Sequence, residues 1–194
     1  MSPEDHDPKK GKLRSCGKAY PGIDVKIVDE NNNELPVGGV GEILLKGDII
    51  MKGYWNKPEA TDEVFANGWY HTGDAGYFEE DGYLFLVDRV KDMIVSGGET
   101  VYSSEVENAI SSHPDVAQVA VIGIPDETWG EAVHAIVVLE AAGSADEEAL
   151  IEHARDSIAG YKVPKSIEFK EETLPLSGAM KVLKREMRAP YWEG

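Results

Sequence analysis

The segment Tyr83-Leu84-Phe85-Leu86-Val87-Asp88-Arg89-Val90-Lys91-Asp92 divides the chain. Its apolar half has the length and composition of a strand, and its charged half ends that strand abruptly. Strand and turn signals dominate before it. After Lys91 the hydrophobic spacing changes to a mixture of helix and strand. The expected fold class is therefore α+β: a β-rich, barrel-like segment over residues 1–90, followed by a small α+β domain over residues 91–194.

Upstream, Asp81-Gly82 is a turn in which glycine tolerates positive φ, so Ala75-Gly76-Tyr77-Phe78 and the strand from Tyr83 form a hairpin. Glu42-Ile43-Leu44-Leu45-Lys46 and the stretch from Asp24 to Val28 read as strands, separated by Asn31-Asn32-Asn33 and Pro36-Val37-Gly38-Gly39. Downstream, Ser104 and Glu107 have the spacing of a capping box. Val106, Ala109 and Ile110 form the stripe of an amphipathic helix that ends near His113-Pro114. Val116 to Ile124 and Val133 to Leu139 read as buried strands. Ser144 with Glu147 repeats the capping spacing ahead of Leu150, Ile151, Ala154 and Ile158, and Gly160 stops that helix. Ile167 and Phe169 alternate as a strand, and the basic segment from Lys184 forms a last helix.

The 194 residues carry a formal charge of −17 and are 42% hydrophobic, enough for a packed core. That charge argues against a general nucleic-acid binder, which needs a basic face. From Tyr161 to Trp192, however, seven basic residues outnumber four acidic ones; a solvated face with a basic last helix is the plainer reading, and a small anionic ligand is the functional one. No apolar run approaches the roughly 18 residues of a transmembrane span, and the polar start lacks the apolar stretch of a signal peptide. With Cys16 as the single cysteine, the expected location is cytoplasmic. One cysteine excludes an internal disulfide, and His6, His71, His113, His134 and His153 have no ligand-like spacing, so no metal ligand is assigned.

Several short segments carry chemistry. In Tyr70-His71-Thr72-Gly73-Asp74, a carboxylate held in a Thr-Gly-Asp turn can accept hydrogen bonds from two vicinal hydroxyls, as acidic ribose readers do; an ordinary turn is the plainer reading of the same residues. The knot Asp88-Arg89-Val90-Lys91-Asp92 begins fourteen residues beyond Asp74. Ser96-Gly97-Gly98-Glu99 is a loop whose glycines let a ligand or another chain approach the backbone. Leu176-Ser177-Gly178-Ala179-Met180-Lys181 sets a lysine in a loop near the end.

With Gly53-Tyr54-Trp55, Pro58-Glu59-Ala60-Thr61 and Gly68-Trp69 ahead of them, these segments form one collinear set from about Gly17 to the end. That set resembles the adenylate-forming superfamily of acyl-CoA ligases, beetle luciferases and peptide-synthetase adenylation domains. Within it, the chain looks like the carboxy-terminal part of an AMP-forming acyl-CoA synthetase. The resemblance implies that residues 1–90 are the end of the large amino-terminal adenylation domain and residues 91–194 the small mobile carboxy-terminal domain. Asp74 would bind the ribose hydroxyls of ATP with Arg89 assisting, and Lys91 would be the hinge. Gly97 and Gly98 would line the CoA channel, with Trp129 near the CoA nucleotide. Lys181 would be the catalytic lysine of adenylation. A carboxylate attacking the α-phosphate approaches another anion, and an ammonium bridging the two offsets that repulsion and orients attack. Lysine suits this point-charge task.

The chain departs from the family pattern at Met180, where the family has glycine. The family's Ser/Thr/Gly-rich phosphate loop ending in Pro-Lys-Gly, and its Tyr-Gly-x-Thr-Glu segment whose Glu holds magnesium, do not occur in these residues. Magnesium expected in the full-length enzyme therefore has no ligand here, and the missing large-domain portion is expected as a covalent or split partner. The expected function is part of an ATP-dependent acid–CoA ligase, converting a carboxylic acid, ATP and CoA to acyl-CoA, AMP and pyrophosphate, with the isolated chain inactive in adenylation. The ending from Leu183 to Trp192 resembles that of the fatty-acid branch, so the resemblance implies a fatty acid as substrate. The alternatives are a non-catalytic module that binds nucleotide, CoA or a partner subunit, and a peptide-synthetase-type adenylation domain.

Overall fold

The computed structural model describes residues 3–141 and 143–193. The chain divides into two compact units, Met1–Lys91 and Asp92–Gly194. Both units carry curled, largely antiparallel sheets, and the fold is α+β.

In the first unit, β1 (Ile23–Val28), β2 (Gly41–Gly47), a short helix α1 (Pro58–Val64), β3 (Phe65–Ala66), β4 (Trp69–Phe78) and β5 (Leu84–Arg89) follow in order. The strands join as β1-β2-β4-β3, and β5 also pairs with β4. β4 is the organising strand. One edge of it lies against β2, and the other carries β3 at Trp69 and Tyr70 and β5 from Asp74 to Phe78. The β4–β5 hairpin turns over Asp81-Gly82 as its sequence requires, with Gly82 at φ 78°. Ile27, Val28, Ile43, Leu44, Ala75 and Phe85 are buried. Burial of neighbours such as Ile43 and Leu44 means that β2 is covered on both faces there, so the alternation of a half-exposed strand is lost.

The second unit contains β6 (Ile94–Ser96), β7 (Glu99–Val101), α2 (Ser103–Ser111), β8 (Val116–Asp126), β9 (Gly130–Leu139), α3 (Glu147–Arg155), β10 (Ser166–Phe169) and α4 (Lys184–Trp192). β9 is central, with β8 antiparallel on one side and β10 parallel on the other. The parallel pairing follows from the α3 crossover that joins β9 to β10. Alternate residues of β9 serve two cores. Val133, Ala135 and Val137 pack with Val106, Ile110, Leu150 and Ala154 of α2 and α3, whereas Ile136 and Val138 pack with Leu174 against Met187 and Tyr191 of α4.

Both helix starts differ from the capping-box expectation. The N-cap of α2 is Tyr102, which puts Ser104 inside the helix, and Glu107 instead accepts from the Val121 amide at 2.8 Å. For α3 the cap is Asp146, whose carboxylate accepts from the Ala149 amide at 2.9 Å. Aspartate caps as well as serine does, and it lies directly before the first helical residue.

Polar contacts fasten α4 to α2 and to the sheet. Lys184 Nζ lies 2.7 Å from Ser103 Oγ and 2.7 Å from Glu107 Oε1. Arg188 Nη2 lies 2.6 Å from Glu131 Oε1. Tyr191 donates its phenol proton to Glu168, and its oxygen lies 3.1 Å from His134 Nε2, while Ser166 Oγ lies 2.7 Å from His134 Nδ1. With the phenol donating to the carboxylate, a neutral imidazole fits by donating from Nε2 to the phenol oxygen and accepting from Ser166 at Nδ1. His134 is only 5% exposed. Burial pushes its imidazole below the ordinary 6.5, against the opposing pull of Glu168. Burial and then the bond to Glu168 push the Tyr191 phenol up to about 12.

Because the folded-state value of His134 is depressed, the unfolded chain takes up its proton first. The stabilisation is complete above pH 6.5 and is lost as pH falls through the folded value. Glu168, held below 4.5 by Lys170 and Tyr191, adds a further loss at lower pH. Urea midpoints of the second unit should therefore fall between pH 7 and pH 5 (about the range in which histidine titrates). His134→Gln should flatten that segment of the profile, and an unaltered slope in the variant would contradict the assignment.

Candidate active site

In the first unit the site is built on an irregularity. β2 and β4 pair Glu42 with Ala75 and Leu44 with His71, so two steps along β2 face four along β4. The surplus residues form a bulge at Thr72-Gly73-Asp74, with Gly73 at φ 71°, a left-handed conformation open to glycine at little cost. Thr72 Oγ1 donates to the Ile43 carbonyl at 2.8 Å and accepts from the Asp74 amide at 3.1 Å. Asp74 then pairs across the strands with Arg89, whose Nε lies 2.6 Å from Asp74 Oδ1. The Asp74 side chain remains 32% exposed. Tyr70 lies two residues before Thr72. Burial, followed by a hydrogen bond with Tyr54 and the nearby charge of Asp74, raises its phenol above the ordinary value. The arrangement is a fixed, solvent-reachable carboxylate backed by a guanidinium and bordered by phenols, suited to binding hydroxyl groups.

In the second unit, Gly97 and Gly98 form the two-residue turn of the β6–β7 hairpin, at φ 61° and 85°. Positive φ at both central positions is the requirement of this tight hairpin. The Gly97 amide donates to the Trp129 carbonyl at 2.8 Å. A Cβ at Gly97 would lie 2.6 Å from the Trp129 ring. The structure thus brings Gly97, Gly98 and Trp129 together, with the indole 49% exposed. Lys165 Nζ stands 5.6 Å from its ring centre. That lysine was not identified in the sequence, because only the fold joins it to an indole 36 positions away.

Lys181 stands at the end of a second tight hairpin. Leu176 bridges Val182, the Ser177 amide donates to the Lys181 carbonyl at 2.8 Å, and the Lys181 amide donates to Ser177 Oγ at 3.2 Å. Closing this loop places Met180 at φ 59° with its side chain 76% exposed. Lys181 is exposed. Lys91 lies in the single turn Val90–Asp92, where the two units meet in sequence. Among the described residues no group of three His, Cys, Asp or Glu side chains could hold a metal ion, and no helix is long and apolar enough to cross a membrane.

Two family models match separate stretches of the chain. The model of the AMP-binding enzyme C-terminal domain matches residues 105–181, and that of the AMP-binding enzyme matches residues 1–55. A long-chain-fatty-acid–CoA ligase of Escherichia coli O6:H1 is 45% identical over 188 residues, which are 97% of this chain and 33% of the relative. A feruloyl-CoA synthase of an Amycolatopsis species is 46% identical over 180 residues, 93% of this chain and 36% of that protein. The solved structure of o-succinylbenzoate CoA synthetase from Bacillus subtilis, in complex with its acyl-adenylate intermediate, superimposes with a TM-score of 0.85 at 36% identity, covering 96% of this chain and 37% of that one. The chain belongs to the adenylate-forming, AMP-binding enzyme family and corresponds to the carboxy-terminal part of its members. It spans about a third of the length of the curated relatives it matches.

Met180 is the one residue in the lysine hairpin with strained backbone. Met180→Gly relieves about 1–2 kcal/mol of left-handed strain against about 0.4–1 kcal/mol of added unfolded-chain entropy, a net gain on the order of 0.5–1 kcal/mol. Met180→Val, β-branched at a positive φ, should lower stability. Thermal or urea unfolding of the two variants checks the order Gly, Met, Val.

Proposed function

We propose that this chain forms the nucleotide-ribose and adenylation-lysine portion of an AMP-forming acid–CoA ligase whose acid is a fatty acid. The observation that carries the reading is the Asp74–Arg89 pair, displayed on the β4 bulge in a chain of this family. Asp74 accepts the two ribose hydroxyls of ATP, and Arg89 holds the carboxylate in place. Lys181 bridges the substrate carboxylate and the α-phosphate, offsetting their repulsion and the charge that develops as pyrophosphate departs. No proton transfer is asked of it. The freely exposed lysine at a hairpin end suits a group that enters and leaves the reaction centre.

Lys91 acts as the backbone pivot that lets the second unit serve adenylation and thioester formation in turn. Its position at the sequence boundary of two separately packed units supports that role. After rotation, Gly97 and Gly98 line the passage for the pantetheine arm, and Trp129 with Lys165 meets the anionic nucleotide end of CoA. ATP and CoA are thus the ligands of this chain, and no residue of it is assigned to magnesium. The relatives named for a long-chain fatty acid and for ferulate match nearly the same span at similar identity, which supports a portion that handles the shared carboxylate, nucleotide and thiol chemistry. The fatty-acid choice rests on the Escherichia coli relative and the sequence from Leu183 to Trp192.

The purified chain given ATP and a fatty acid should release no pyrophosphate, since its sequence holds no phosphate loop or acyl pocket. In an enzyme that contains this segment, Lys181→Ala should slow acyl-adenylate formation by about 10²–10³-fold, the loss typical of one transition-state charge contact. It should leave thioester formation from supplied acyl-AMP near normal. Equal losses in both half-reactions would contradict the role given to Lys181.

A further inference from the structure

We propose that Glu42 is a positioning residue for Asp74, and through Asp74 for the ribose of the nucleotide; this rests on the reading of Asp74 as the ribose acceptor. Glu42 binds no ligand itself in this account. Its two carboxylate oxygens are divided between the residues on either side of Thr72. Oε2 lies 2.8 Å from His71 Nδ1, and Oε1 accepts from the Gly73 amide at 3.1 Å. One side chain from β2 therefore grips the bulge in two places just before Asp74.

The grip answers a geometric need. A regular antiparallel strand satisfies its amides from its neighbour, but the two surplus residues of β4 are out of register with β2. Gly73, at φ 71°, turns its amide away from the ladder, and Glu42 supplies the acceptor. Thr72 fastens the same loop to Ile43, the residue next to Glu42. The path of the chain into Asp74 is thus set from two consecutive residues of β2, and Arg89 fixes the carboxylate from β5. Half-buried surroundings strengthen the hold, since the Glu42 and His71 side chains are 22% and 19% exposed. Losing Glu42 would leave the Gly73 amide and the His71 ring without this partner and free the bulge to move.

The chemistry distinguishes substitutions. Glu42→Gln keeps an oxygen for the Gly73 amide and an NH₂ that donates to His71 Nδ1 in its other tautomer, so both contacts survive. Glu42→Ala keeps neither. Glu42→Asp keeps the charge on an arm too short to reach both partners.

The test is the ratio of affinities of the 194-residue chain for AMP and for 2′-deoxy-AMP, followed by amide NMR titration. An acceptor held across two vicinal hydroxyls should favour AMP by about tenfold. The ratio should collapse towards one in Glu42→Ala and in Glu42→Asp and be retained in Glu42→Gln. A merely structural loss would weaken both ligands alike and leave the ratio standing, which would overturn the role of Glu42. If Glu42→Ala does not fold, as judged by its amide spectrum, Glu42→Asp and Glu42→Gln carry the comparison. A wild-type ratio of one, or no AMP-induced shift at Asp74, would overturn the ribose reading itself and Glu42's role with it. An intact wild-type ratio that Glu42→Asp leaves unchanged would remove Glu42 alone.

Discussion

Between Glu42 and Leu44 one strand advances two residues while its partner advances four, and the surplus must leave the plane of the sheet. Much of the first unit's chemistry follows from that mismatch. A regular strand would alternate its side chains and keep its amides in the ladder, so Asp74 would be one more strand residue. The bulge instead lifts a Thr-Gly-Asp turn out of register at the point where β4 exchanges one neighbour for another, β3 before it and β5 after it. Asp74 is the first β4 residue in register with β5, and its partner there is Arg89. Backbone register and the ion pair therefore select the same two residues.

The second unit solves a different problem, that of holding an exposed hairpin on a rigid support. β9 is buried over seven consecutive residues because α2 and α3 cover one face and α4 covers the other. Helix α4 has a sequence poor in large apolar residues and is secured largely by Lys184, Arg188 and Tyr191. Those contacts begin three residues after Lys181. The lysine is therefore anchored from the far side by a pinned helix, and on the near side Leu174 is buried with its amide bonded to Gln118 at 2.8 Å. Between two fixed ends, a hairpin can hold an exposed ammonium at a constant distance from its domain while leaving the side chain free.

Patterns of two and 3.6 residues made most elements legible in the sequence. The hairpin over Asp81-Gly82, the paired strands Val116 to Ile124 and Val133 to Leu139, and the helix from Lys184 are local features with local causes. The helix starts were less legible because caps compete: a Ser-x-x-Glu spacing occurs near the start of both α2 and α3, yet Tyr102 and Asp146 occupy the caps. Glu107 was drawn away by the Val121 amide and the Lys184 ammonium, partners that only tertiary structure supplies. Asp74, Arg89 and the Gly97-Gly98 turn stood out in the sequence through motifs that resemble those of the family. Glu42 was not, since in sequence it is the polar start of an ordinary strand, 29 positions from His71. Lys165 beside Trp129 was hidden for the same reason. Contacts between residues far apart in sequence leave no motif to read.

Met180 joins the two kinds of information. As a sequence feature it is only an exception by resemblance, a methionine where the pattern that the chain resembles has glycine. In the structure its backbone has φ 59°, and the cause lies in its neighbours. The Leu176–Val182 bridge and the bond from the Ser177 amide to the Lys181 carbonyl close the hairpin tightly. The bond from the Met180 amide to the Ser177 carbonyl then closes a turn just before the lysine. A turn this tight needs one residue in the left-handed region to send the chain back, and glycine occupies that region at least cost. Methionine adopts the same conformation with its side chain in solvent, so the expense is backbone strain and not a clash. The hairpin, not the residue at its tip, determines the direction in which Lys181 leaves the loop. The substitution therefore changes the energy of the conformation more than the conformation itself.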